Sequence, residues 1–197
     1  MQLSSTATNL LNDMFTAYVD ASETENTKRM HPSADSIELV IKELKIKTQD
    51  ISSIRIEESK NPIAVPVHAD TPAGFTTTLI PLKFASPVWT IVFTSYYNGN
   101  NTAGYKYRPT NQQYYENEWL STDHHHVDNI TDKDIDLSDY EKYLSFLQKE
   151  DLHGLSIAKS IPWQLSGVIQ FPSHQLHSGS TFEGSKRWLL IASVTNT

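Results

Sequence analysis

"FPSHQLHSGSTFEGSKRW", residues 171–188, holds two histidines three apart, a polar glycine-containing turn, and then Lys186 and Arg187 at the head of the apolar run "LLIASV". "SGVIQFPSHQLH" (166–177) and "KRWLLIASV" (186–194) read as two closing strands, with "SGSTFEGS" as the turn between them. On one continuous strand, residues three apart face opposite sides. His177 and His174 therefore take different roles: His177 looks inward as a candidate ligand, and His174 lies on the other face. A hairpin of these strands folds Arg187 back beside His177.

Working backwards, four more segments read as strands. "ISSIRIEE" (51–58) alternates, "PIAVPVHAD" (62–70) is rich in Val and Pro, and "FTTTLIPLKF" (75–84) and "VWTIVFTSYY" (88–97) are β-branched and aromatic. Pro66 and Pro81 mark edges or bulges. Two amphipathic helices precede them, over residues 6–20 and 35–46, joined by the polar loop "DASETENTKRMHPS". Residues 98–113 and 121–138 read as long polar loops. A helix follows, with Ser138 and Glu141 as a capping box, and a second short helix spans 151–160. No internal repeat is present. Helices first, then mostly strands, point to an α+β chain that is mainly β. A double-stranded β-helix (jelly roll) leads the alternatives. The expected organisation is one domain over 1–197: a helical flank at 1–50, the jelly-roll core at 51–97 and 163–197, and a partly helical insertion at 98–162.

Composition narrows the chemistry. The 197 residues carry a formal net charge of -7, which disfavours a nucleic-acid phosphate partner. Cysteine is absent, so disulfides, thiolate metal sites and thiol nucleophiles are excluded. A metal must be held by His, Asp, Glu or water, which favours iron, manganese or zinc. The N-terminal stretch has no secretory pattern and no apolar run reaches membrane-spanning length, so a soluble cytoplasmic protein is expected.

Among eight histidines, His68 stands out because Asp70 follows two residues later. At the end of a strand, that spacing puts an imidazole and a carboxylate on one face. A third ligand from another strand completes a two-histidine, one-carboxylate facial triad, which leaves positions open on Fe(II). His177 is the natural third member. A lone H-x-D is more often an ordinary polar strand end, so the inference depends on the residues around His177. Thr78, Thr90 and Thr94 should line the barrel, as core threonines or as a hydrogen-bond partner for a ligand. "STDHHHVDN" reads as a solvated loop, because His124, His125 and His126 are consecutive and do not converge on one ion. "YKYRPTNQQYYENEW" (105–119) suits a lid, a substrate wall or plain packing.

Residues 62–97 and 163–195 resemble the 2-oxoglutarate/Fe(II)-dependent oxygenases of the prolyl-hydroxylase-like type. The resemblance rests on H-x-D at 68–70, "FPSHQLH" ending on His177, and a basic residue ten positions later in "GSKRWLLIASV". It implies that His68, Asp70 and His177 bind iron and that Arg187, with Lys186 as the alternative, holds the far carboxylate of 2-oxoglutarate. It implies O2 as co-reactant, ascorbate as an accessory reductant, and release of succinate and CO2. Halogenating relatives replace the carboxylate with a small residue, so Asp70 favours hydroxylation. The expected substrate is an amino acid, a peptidyl residue or a small metabolite. The competing reading is a cupin-like jelly roll that binds a metal or ligand without oxygenase activity. Cupin sites usually draw on a compact H-x-H run on a strand, and the one such spacing here, His124 to His126, falls in the segment that reads as a solvated loop.

Overall fold

The structure is a computed structural model; it describes residues 2–20, 27–45, 47, 50–59, 67–70, 73–84, 87–99, 105–106, 127–180 and 187–195. Two helices open the chain, α1 (Ser5–Asp20) and α2 (Ala34–Leu44), with the short strand β1 (Thr27–Met30) between them. Ser33 caps α2 by accepting a hydrogen bond from the Ser36 backbone N–H. The remaining strands are β2 (Ile51–Ser59), β3 (His68–Ala69), β4 (Phe75–Lys83), β5 (Trp89–Tyr97), β6 (Tyr105–Lys106), β7 (Val127–Asp128), β8 (Ile157–Pro162), β9 (Ile169–Pro172), β10 (Gln175–Gly179) and β11 (Arg187–Thr195).

These strands form two antiparallel sheets. One runs β1-β2-β11-β4-β9; the other runs β6-β3-β10-β5, with β7 and β8 both on the outer edge of β5. Core strands alternate between the sheets on each side of the insertion, through β2, β3, β4 and β5 and again through β8, β9, β10 and β11, with β2, β4, β9 and β11 in one sheet and β3, β5, β8 and β10 in the other. That winding is the double-stranded β-helix expected from the sequence.

Period-two patterning explains the layers. On β4, Leu79 faces the space between the sheets and joins Val92, Trp163, Ile169 and Phe171. Its neighbour Ile80 points the other way, into a core with Ile56 and Leu82 under Leu11 of α1 and Val40 of α2. On β5, Val92 faces inward, while Ile91 and Phe93 face outward onto Leu144, Leu152 and Leu155. Both main sheets are thus apolar on two faces, which accounts for the near-continuous apolar runs at 79–82 and 91–93.

Several local expectations change. Polar residues 27–30 form β1, an edge strand paired with β2 across Thr27↔Ser59 to Met30↔Ile56. Residues 166–177 make two strands rather than one. β9 belongs to the β4 sheet and β10 to the β5 sheet, and the chain turns at Ser173 and His174 to change sheets. β10 and β11 likewise lie in different sheets and form no hairpin. The second short helix is only Lys149–Leu152, and 157–162 is strand β8, paired with β5. The capping residue of the short helix α3 (Leu137–Asp139) is Asp136, not Ser138. The Asp136 carboxylate accepts from the Ser138 and Asp139 backbone N–H groups, and a five-residue π-turn (Tyr140–Leu144) follows. Among the described residues, no helix is long and apolar enough to cross a membrane.

Two stability outcomes follow. Ile80 is fully buried between sheet and helices, so Ile80→Ala should cost about 2–5 kcal/mol in urea unfolding. On the surface, His153 lies between Asp134 (Nδ1 to Oδ1, 2.9 Å) and Asp132 (Nε2 to Oδ1, 3.6 Å). The hydrogen bond to Asp134 raises the His153 pKa, outweighing the cost of partial desolvation. A raised folded pKa contributes stability fully below the unfolded value of about 6.5 and loses it as pH climbs through the folded value. The Tm gap between the natural protein and His153→Ala should therefore be widest near pH 6 and close as pH rises past the folded pKa. A gap that is constant or widens with pH would contradict this.

Candidate metal centre

β3 and β10 run antiparallel with His68 directly opposite His177. Directly opposed residues on adjacent strands bring their side chains together, and here the two imidazole centroids lie 4.2 Å apart. Two residues after His68, Asp70 follows the end of β3. Its backbone N–H donates to the Ser173 carbonyl at 3.0 Å. Its carboxylate reaches both rings: Oδ1 is 3.5 Å from His68 Nε2, and Oδ2 is 3.5 Å from His177 Nε2. One candidate ligand atom from each of His68, Asp70 and His177 lies within 4.8 Å of the others. Among the described residues, this is the one group of three or more His, Asp or Glu side chains so arranged.

Protonation suits a cation. His177 Nδ1 sits 2.9 Å from the Gln175 carbonyl, which can only accept, so Nδ1 carries the proton and Nε2 presents a lone pair. Burial, reinforced by the neighbouring His68, pushes His177 down to about 4, against the opposing pull of Asp70 and the Gln175 carbonyl. Burial alone would raise the Asp70 carboxyl. The charges of His177 and His68, with hydrogen bonds from His68 and Thr77, outweigh it and hold Asp70 well below the usual carboxylate range. At neutral pH His177 is neutral, so its charge acts on Asp70 only in acid. The Thr77 bond, from Oγ1 to Oδ2 at 2.7 Å, persists. The result is a buried carboxylate beside a neutral imidazole, and its ion-pair contacts among the described residues are with histidines alone. Two imidazoles and an ionised carboxylate converging in a partly buried pocket form a donor set that suits a divalent cation.

The site has a closed side and an open side. The His177 side chain keeps 6% of its surface, packed on Phe171 with ring centroids 4.5 Å apart. His68 and Asp70 keep 22% and 20%. Solvent reaches the group from the His68–Asp70 side.

Other expected residues fall elsewhere. His174 lies in the turn between β9 and β10, not on a strand. Its carbonyl accepts from the Tyr97 backbone N–H, and its ring packs against Tyr96 at 5.1 Å. The His174 Nδ1 is buried and has no hydrogen-bond partner among the described residues. Thr90 receives the Trp163 indole N–H, and Thr78 is bonded by the Gln170 amide, so both act as core hydroxyls. Thr94 is half-buried on β5. The threonine that touches the triad is Thr77, a residue the sequence reading passed over. Its signal was only the β-strand parity of "TTT" at 76–78, where alternate residues face the sheet interior.

Arg187 opens β11, in register with Ser59. Ser193, six residues further along β11, pairs with Thr77. At strand spacing Arg187 therefore stands about 20 Å along the strand from the Thr77 level. Lys186 and His124, His125 and His126 lie outside the described residues, as does most of 105–119.

No protein-family model matches the sequence, and no curated protein matches it. Solved structures do. HygX from Streptomyces hygroscopicus with nickel and 2-oxoglutarate bound superposes with a TM-score of 0.51 at 8% identity, over 99% of this chain and 80% of that one. The same protein with iron bound gives 0.49 at 8% identity, over 99% and 79%. An oxalate oxidase in complex with glycolate gives 0.38 at 8% identity, over 88% of this chain. This chain spans 53% of that enzyme's length. At such identity the likeness to HygX establishes the jelly-roll fold and nothing finer.

The two neighbouring histidines can be told apart by titration with Mn(II) or Fe(II). His177→Ala should lose divalent-cation binding by at least about tenfold, the change expected when a metal site is perturbed. His174→Ala should stay within about threefold of the natural protein. Equal losses would make His174 part of the site.

Proposed function

We propose that this chain is a 2-oxoglutarate- and Fe(II)-dependent dioxygenase. It would hydroxylate an amino-acid, peptidyl or small-metabolite substrate and release succinate and CO2. The observation that carries the proposal is the convergence of His68, Asp70 and His177 at one edge of a jelly-roll core. The set of two imidazoles and one carboxylate suits iron and leaves half of a six-coordinate shell for other ligands. When bound, Fe(II) and 2-oxoglutarate would supply the O2 chemistry that no side chain of this protein can perform.

The protein's own contribution is geometric and electrostatic. His177 is held by the Gln175 carbonyl with Nε2 directed at the site. Thr77 orients the Asp70 carboxylate through a hydrogen bond to Oδ2. Phe171 closes the inner side against water. Arg187 is our candidate for the far carboxylate of 2-oxoglutarate. Arg187 stands about 20 Å along β11 from the Thr77 level, so it would have to reach toward a five-carbon diacid that does not span that distance by itself. Its planar fork suits bidentate binding of a carboxylate.

Turnover of 2-oxoglutarate to succinate, with Fe(II) and ascorbate supplied, tests the reading across a panel of amino-acid, peptide and metabolite substrates. His68→Ala should abolish turnover. Arg187→Ala should raise the KM for 2-oxoglutarate about 10–100-fold, the worth of a charge-assisted bond of about 1.5–3 kcal/mol. Without O2, the natural protein should show a visible charge-transfer band on adding Fe(II) and 2-oxoglutarate. Binding of iron without 2-oxoglutarate would move the protein to the cupin-like reading. If Arg187→Ala is unchanged while Lys186→Ala fails, the anchor is Lys186.

A further inference from the structure

We propose that Thr77 and Ser173 form a hydroxyl relay that positions Asp70 for metal binding. The inference rests on the metal-site reading above and goes beyond the three ligands. Thr77 Oγ1 lies 2.7 Å from Asp70 Oδ2 and 2.9 Å from Ser173 Oγ. A threonine hydroxyl has one proton, and an ionised carboxylate can only accept. Both acceptors lie within reach of that proton; with Asp70 ionised it goes to the carboxylate, and Ser173 Oγ stands at hydrogen-bond distance behind it. Both hydroxyl residues are fully buried, so water cannot replace either partner.

The backbone closes the same loop. Asp70 N–H donates to the Ser173 carbonyl, and Ser173 N–H donates to the Phe75 carbonyl. Asp70 follows β3 in one sheet, Thr77 sits on β4 in the other, and Ser173 occupies the turn where the chain passes from β9 to β10. Asp70 is thus held between sheets by one bond to its carboxylate, from Thr77, and one from its backbone N–H, to Ser173, neither of which involves its partners in the triad. Thr77 takes up one lone-pair direction of Oδ2, and among the described residues no hydroxyl meets Oδ1. Thr78, the adjacent threonine, is equally buried but bonds to Gln170 instead, and it serves as the internal comparison.

The test is Mn(II) affinity, read from the free-ion EPR signal, for the natural protein and four folded variants. Thr77→Val, which keeps the shape and removes the hydroxyl, should weaken binding about 10–100-fold, the usual effect of losing a bond that orients a metal ligand. Thr77→Ser should restore affinity to within about threefold, Ser173→Ala should fall between, and Thr78→Val should match the natural protein. A Thr77→Val variant that binds Mn(II) like the natural protein overturns the relay while leaving the metal site intact. Failure of the natural protein to bind Mn(II) or Fe(II) overturns the metal-site reading itself. If circular dichroism shows Thr77→Val unfolded, Ser173→Ala decides: weakened binding sustains the relay, and unchanged binding overturns it.

Discussion

The structure turns on one antiparallel pairing, His68 opposite His177 across β3 and β10. That register aligns two imidazoles from segments more than a hundred residues apart. A slip of one residue would send one of them to the outer face, because strand side chains alternate. The pairing is short, since β3 has only two residues. It is reinforced by the bond from Asp70 N–H to the Ser173 carbonyl just beyond it. The register that closes the second sheet is therefore the register that assembles the candidate metal centre.

Much of the fold was legible because its strands are long and apolar. β2, β4, β5 and β11 carry β-branched runs that no other element explains, and α1 and α2 carry a helical stripe. What escaped was structure that depends on partners rather than on local pattern. β1 is polar and exists because β2 offers it an edge. The break at Ser173 and His174 was hidden because "IQFP" and "QLHSG" read as one strand when joined. Only the tertiary structure shows that they serve opposite sheets. The parity inference for His174 assumed that continuous strand. His174 is outside the triad for another reason: it lies in the turn.

The site divides in the same way. His68 and Asp70 are visible at H-x-D spacing, and His177 is visible once a strand is placed there. Thr77 was not visible, because 76–78 are identical residues and only the three-dimensional register tells which of them meets a carboxylate. Composition says nothing about which of Thr77 and Thr78, both fully buried, supports chemistry and which supports packing. Hydrogen bonds make the distinction: one hydroxyl meets Asp70, the other an amide.

A fold shared with HygX at 8% identity does not carry function, since jelly rolls host many activities. The functional weight falls on electrostatics. Folding brings an ionised carboxylate against imidazoles and excludes water from one side of the group. In an apolar setting such a charge is stable only when paired and hydrogen-bonded. Thr77 supplies a hydrogen bond but no charge, His177 is held neutral by burial at neutral pH, and His68 contacts the other carboxylate oxygen. The same donors would suit a divalent cation. The unequal exposure of the three side chains then fixes the direction of traffic. His177 and Phe171 close the inner wall, so a molecule reaching this group would approach across His68 and Asp70.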